Sequence, residues 1–151
     1  MQAIASRSLQ ISGLLVLMSF FGKGLQAQEL AAHQWENRVL VLLVEDTTAV
    51  EYQQQLAALK AEAAGLQERK LLVYQVLPQQ YRIGLAAAGA WKPSSSLYER
   101  LGSEGGGLEV VLIGLDGGIK LRQPGGLACA DLFALIDGMP MRRAEMRRKR
   151  N

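Results

Sequence analysis

The sequence predicts an α/β domain, a four-stranded mixed sheet flanked by helices in the order β-α-β-α-β-β-α. Three observations carry this. Arg38–Asp46 (RVLVLLVED) and Lys70–Leu77 (KLLVYQVL) are continuous apolar runs, as strands covered on both faces are, and a helical period lies between them. Leu108–Leu115 (LEVVLIGL) repeats the apolar run after a glycine break. Asp116-Gly117 then joins it to an alternating segment, and that dipeptide favours tight hairpins.

Each element has its own local reason. After the first strand, Thr47 or Thr48 can cap a helix, and Glu51 stands three residues beyond Thr48 at capping-box spacing. Tyr52, Leu56, Leu59, Ala63 and Leu66 recur at helical spacing, so residues 49–67 read as one amphipathic helix. The second strand stops at Pro78, and the strand-helix-strand unit closes right-handed with parallel strands. Residues 79–107 are the least regular part. Ser95 or Ser96 can cap a short helix over Leu97–Leu101, ended by Gly102, and Gly105-Gly106-Gly107 breaks the chain. Ile119–Arg122 alternates apolar and basic residues, as an edge strand with one wet face does. Leu132, Leu135, Ile136 and Met139 mark a last helix, which Pro140 kinks or restarts. The whole order matches a minimal thioredoxin-like fold.

The first residues look like an address. Arg7 is a lone charge before an apolar run, Ile11–Gly22 (ISGLLVLMSFFG), and a small residue, Ala27, precedes Gln28. This is the pattern of a secretory signal peptide cut between Ala27 and Gln28. The run falls short of the roughly 20 residues a membrane-crossing helix needs, which leaves a retained anchor as the alternative. The expectation is export by the general secretory route, to periplasm or extracellular space. The expected organisation is residues 1–27 as signal, 28–146 as the domain and 147–151 as a basic tail.

Cleavage redistributes the charge. The full chain of 151 residues carries +3, and losing Arg7 and Lys23 leaves +1. Arg142, Arg143, Arg147, Arg148, Lys149 and Arg150 face only Glu145, so residues 142–151 carry +5 and residues 28–141 carry −4. The tail could dock on an anionic membrane surface; otherwise it is a solvated charge run ending a helix. No nucleic-acid partner is expected, because the basic run lacks interleaved aromatics.

Composition excludes more chemistry than it nominates. One cysteine rules out an internal disulfide, a Cys-x-x-Cys pair and cysteine-rich zinc modules, and one histidine removes most metal sites. No metal or cofactor is expected. The glycine clusters precede a strand or join two strands, which is turn chemistry rather than a phosphate loop. His33 has no companion ligand and reads as a surface residue, while Trp35 and Trp91 read as packing.

The segments VLIGLDGGIKLR and LFALIDGMPMRRAEM, with WENRVLVLL upstream, resemble the P-DUDES group. This is a thioredoxin-like domain of unknown function in secreted bacterial proteins and in animal extracellular proteins, including sushi-repeat proteins. The resemblance spans Trp35 to Met146. Its most specific residues are Asp116, Gly117, Lys120, Asp137, Met139, Pro140, Met141, Arg142, Arg143 and Glu145; Leu115 stands where the group usually has lysine. It implies a fold and an extracytoplasmic address, with no reaction attached.

No residue set qualifies as a catalytic constellation. A thioredoxin-like oxidoreductase keeps its thiolate where the first strand meets the first helix; here that corner reads Glu45, Asp46, Thr47, Thr48. These residues could hold a cation or polar ligand, or simply end a strand and cap a helix. Cys129 opens the last helix and is either a reactive thiol or a small apolar residue. The resemblance places Arg142, Arg143 and Glu145 in its signature, which implies a role within the folded domain such as an ion pair closing the last helix onto the sheet. The chain therefore reads as a non-catalytic binding or accessory module with a protein partner. The alternatives are a thiol-dependent redox or peroxide-reactive protein using Cys129, or an envelope-surface protein docked by its tail.

Overall fold

The structure, a computed structural model, describes residues 28–102 and 105–150. The proposed signal segment and its cut site lie outside the described residues. The elements are α1 (Gln28–Ala31), β1 (Arg38–Leu43), α2 (Val50–Ala61), α3 (Ala63–Glu68), β2 (Leu71–Val76), β3 (Gln80–Ile83), β4 (Lys92–Pro93), α4 (Ser96–Leu101), β5 (Glu109–Ile113), β6 (Ile119–Pro124), α5 (Cys129–Gly138) and α6 (Pro140–Arg150).

One mixed sheet runs β4-β3-β2-β1-β5-β6. As expected, β1 and β2 are parallel, with Leu40 opposite Val73. β5 returns antiparallel to β1, placing Ile113 opposite Val39 at the Arg38 end. The sheet has six strands rather than four. Pro78 ends β2, and the chain doubles back so that Tyr81 pairs with Val76 and Lys92. Only Tyr81 of β3 is buried. Gln80-Tyr81-Arg82-Ile83 does alternate polar and apolar, but over four residues only, and a run that short passes for a loop in the sequence.

Alternation along the strands builds two cores. Leu40, Leu42, Val110 and Leu112 meet Leu56 and Leu59 of α2, Leu66 of α3, and Leu132 and Ile136 of α5. Val39, Val41, Leu43, Val111 and Ile113 meet Tyr74, Tyr81, Leu97 and Leu101 on the other side. All six residues of β1 are buried, as its unbroken apolar run requires.

Four further expectations are corrected. The helix read over 49–67 breaks at Glu62 (φ −105°, ψ 24°), and the α3 that follows sets Gly65 beneath Phe133. A Cβ on Gly65 would lie 2.7 Å from Phe133 Cε2. The Thr48–Glu51 capping box does not form: Ala49 is the N-cap and makes no side-chain cap bond. His33 is half-buried rather than on the surface, sharing a 2.7 Å hydrogen bond with the Tyr74 hydroxyl. Trp35 is not packed; it is 63% exposed, with φ at +69°.

Pro140 restarts the last helix. Met139 is extended (φ −69°, ψ 141°), the conformation proline imposes on its predecessor, and Pro140 opens α6 where its missing N–H costs nothing. Among the described residues no helix is long and apolar enough to cross a membrane.

Candidate functional site

The two ends of β1 carry the two sets of candidate residues. At its C-terminal end the chain leaves the sheet through Glu45 and Asp46, both exposed. Asp46 Oδ1 accepts the Thr48 backbone N–H at 2.8 Å, and the Thr48 hydroxyl donates to the same carboxylate at 2.7 Å. These bonds, the backbone one foremost, hold the Asp46 carboxyl below its ordinary pKa. They also explain the missing cap, since the Thr48 side chain turns back to Asp46. Gln53 Nε2 donates to the Thr47 carbonyl at 2.5 Å. The Tyr98 hydroxyl donates to Glu45 at 3.4 Å. The corner is thus tied by its own hydrogen bonds. Among the described residues no group of three or more His, Cys, Asp or Glu is placed to hold a metal.

Cys129 is the first residue of α5 and half-buried against the first core. Burial, and secondarily the Glu62 charge, pushes its thiol pKa up. A cavity of about 870 Å³ opens at this end of the sheet, bordered by Glu51, Gly106, Arg122 and Gly125. Arg122 there pairs with Glu109 at 2.6 Å.

At the N-terminal end of β1 the other sequence candidates converge. Arg38 is 1% exposed; its Nη2 lies 3.1 Å from Glu145 Oε1, and its Nη1 donates to the Arg69 carbonyl at 2.8 Å. Arg142, also 1% exposed, donates from Nε to Asp137 Oδ1 (3.0 Å) and from Nη2 to Glu68 Oε1 (2.7 Å). Arg69 Nη2 reaches Asp137 Oδ2 at 2.5 Å, and its guanidinium sits 4.1 Å from the Phe133 ring centroid. Three arginines and three carboxylates therefore balance in one network tying α6 to α3, α5 and the start of β1. Burial works to raise the Asp137 pKa, but hydrogen bonds from Arg69 and Arg142 outweigh it and hold it low. Arg143 is exposed and contributes its backbone, donating to the Met139 carbonyl at 3.0 Å.

The β5–β6 turn closes the same end. Gly117 takes φ +79° there, Lys120 Nζ pairs with Asp116 Oδ2 at 2.6 Å, and Gly118 N–H donates to Asp116 Oδ1 at 3.1 Å. Lys120 and Gly118 hold the Asp116 carboxyl below its ordinary pKa. Between this turn and the α5–α6 junction lies a cavity of about 270 Å³, lined by Arg38, Leu115, Asp116, Lys120, Met139, Pro140 and Met141. Asp116, Lys120, Met139, Pro140 and Met141 were separated by up to 25 positions in sequence and here share one wall.

A sequence family described as a domain of unknown function (DUF4174) matches residues 29–145. The chain belongs to the DUF4174 family. That match takes in both ends of β1, the ion network and the cavity, so the site just described is part of the DUF4174 domain. Among solved structures, the chain is similar to a reduced 2-Cys peroxiredoxin of Plasmodium vivax. The identity is 13%, the TM-score 0.53, and the match covers 78% of this chain and 84% of the other. At that identity the likeness shows the fold alone: the DUF4174 chain has a thioredoxin-like architecture. The search of curated proteins found no match.

Sequence reasoning missed Arg38, Arg69 and Glu68 as partners of the signature. Arg38 opens an apolar strand and Arg69 ends a helix, so each reads as an ordinary solvated end. A basic residue at the head of a strand whose every other residue is buried was the available signal.

Proposed function

We infer that this protein is an exported, non-catalytic binding or accessory module whose working surface is the Arg38 end of the sheet. One observation carries the reading. The residues that make the sequence distinctive gather around the ion network and the 270 Å³ cavity, while the β1–α2 corner is thiol-free and closed on itself. Resemblance to the P-DUDES group, compatible with the DUF4174 match, supports the extracytoplasmic address. The apolar Ile11–Gly22 run supports export.

The test compares the full chain with Cys129→Ser in insulin-reduction and peroxide-consumption assays. Both proteins should stay at the thiol-free blank. Turnover in the wild type that Cys129→Ser abolishes would replace this reading with a thiol-dependent one. Residues 1–27 fused to alkaline phosphatase should deliver activity outside the cytoplasm; a cytoplasmic fusion would remove export.

A second reading has one observation of its own. Arg147, Arg148, Lys149 and Arg150 are exposed on the last turn of α6, outside the network that uses Arg142. They suit an anionic membrane surface. Binding to phosphatidylglycerol vesicles should then fall steeply with salt and vanish on deleting residues 147–151.

A further inference from the structure

We propose that the cavity between the β5–β6 turn and the α5–α6 junction receives one large apolar side chain of a partner polypeptide, with the adjoining main-chain carbonyl accepting a hydrogen bond from Arg38. This deepens the binding-module reading and rests on it.

The walls choose an apolar group. Leu115, Met139, Pro140 and Met141 line the cavity, and methionine thioethers adapt to varied shapes and favour aromatic contacts. The polar rim is already neutral, because Lys120 and Asp116 pair at 2.6 Å. About 270 Å³ lies just below the range for small-molecule sites and suits a single inserted side chain.

Arg38 asks for the carbonyl. Its Nη groups are taken by Glu145 and the Arg69 carbonyl, whereas its Nε–H is buried without an acceptor among the described residues. A buried donor left unpaired is costly, so an occupant supplying an acceptor gains that interaction. Glu145 already balances the charge of Arg38, and a neutral carbonyl fits better than a second carboxylate. The peptide group is the neutral acceptor that comes beside every side chain of a protein.

The surroundings favour a macromolecule. Trp35 (63% exposed), Ile119 (54%) and Met141 (42%) are exposed large apolar residues at this end. The Trp35 backbone N–H is bonded to the Leu115 carbonyl at 2.6 Å, which fastens the indole's backbone beside the cavity wall. Trp35 is held at φ +69°, a conformation that costs a non-glycine residue energy and persists where the surroundings impose it. An exposed tryptophan on such a fixed backbone is the kind of residue that anchors protein interfaces.

The probe is N-acetyl-tryptophanamide, an apolar side chain between neutral carbonyls, titrated into the full chain labelled with ¹⁵N and with ¹³C methionine methyls. Expected are saturable shifts of the Met139 and Met141 methyls and of the Arg38 Nε–H, with a dissociation constant of about millimolar, as a fragment gives. N-acetyl-glycinamide should give none. Met141→Ala, an exposed position, should weaken binding about fivefold or more, and Cys129→Ser should leave it unchanged. Absence of saturable shifts, shifts confined to the Glu45–Thr48 corner, or equal response to the glycine probe would overturn the proposal. Tighter binding of indole-3-acetate would overturn the neutral carbonyl and assign the cavity to an anion. Thiol turnover in the earlier assay is a separate outcome, which defeats the binding-module reading without moving any of these shifts.

Discussion

Arg142 shows how one side chain can hold a domain's end in place. It is buried, yet its partners Asp137 and Glu68 keep 30% and 53% of their side chains in water. Replacing it with methionine keeps the length and strands carboxylates that can partly rehydrate. The expected cost is about 2–3 kcal/mol, at the low end for a broken buried pair, read as a lower urea midpoint with unchanged slope. Asp137 gives the pH dependence. Its native pKa lies below the ordinary aspartate value although burial opposes this. The stability it adds is therefore full above the unfolded carboxyl pKa of about 3.9 and fades as pH falls through the lower native value. Asp137→Asn should be less stable than wild type at pH 6, with the gap narrowing below about pH 4. The half-buried Cys129 thiol, its pKa raised, should react with iodoacetamide about tenfold slower in the native protein than in urea. The corner residues Glu45–Thr48 were legible by position alone. Their mutual bonding was not, because Thr48 can cap forward or turn back to Asp46, and only geometry chooses.

At the level of elements, the β5–β6 hairpin is the part most open to a direct test. Gly117 sits at φ +79°, where a side chain is strained. Gly117→Ala should cost about 1 kcal/mol in chemical denaturation. No change would mean that the turn relaxes into another type. This hairpin and strands β1, β2 and β5 were readable because apolar runs and Asp-Gly are strong local signals. Pro140 likewise announced a kink or a restart, since no helix interior tolerates it freely. The β3–β4 hairpin was not readable. Its anchor Tyr81 stacks on Tyr74 with ring centroids 5.9 Å apart, and its hydroxyl donates to Glu29. Both contacts come from other segments, so residues 79–93 alone offer only the four-residue alternation Gln80–Ile83 as a strand signal. The break at Glu62 was hidden for a similar reason: the helical period continues through it, and the close approach of Gly65 to Phe133 exists only in three dimensions.

On the scale of the molecule, the network divides the C-terminal stretch into a structural half and a free half. Arg142 and Glu145 belong to the fold, whereas Arg147 to Arg150 are exposed. Deleting residues 147–151 should move the melting temperature by less than about 2 °C. Ending the chain after Pro140 should abolish the cooperative transition, since Arg38 would lose Glu145 and be left buried and uncompensated. The position of Arg38 also sets a clock for the newborn chain. Its carboxylate is 107 residues away, and β1 needs β5 on one flank and β2 on the other. A chain emerging N-terminus first displays the stickiest strand of the protein long before that carboxylate exists. The Arg38–Glu145 pair then works as a latch that can click shut only once residue 145 has been made. Until that moment, β1 depends on whatever escorts the unfinished chain to keep it from pairing with its copies.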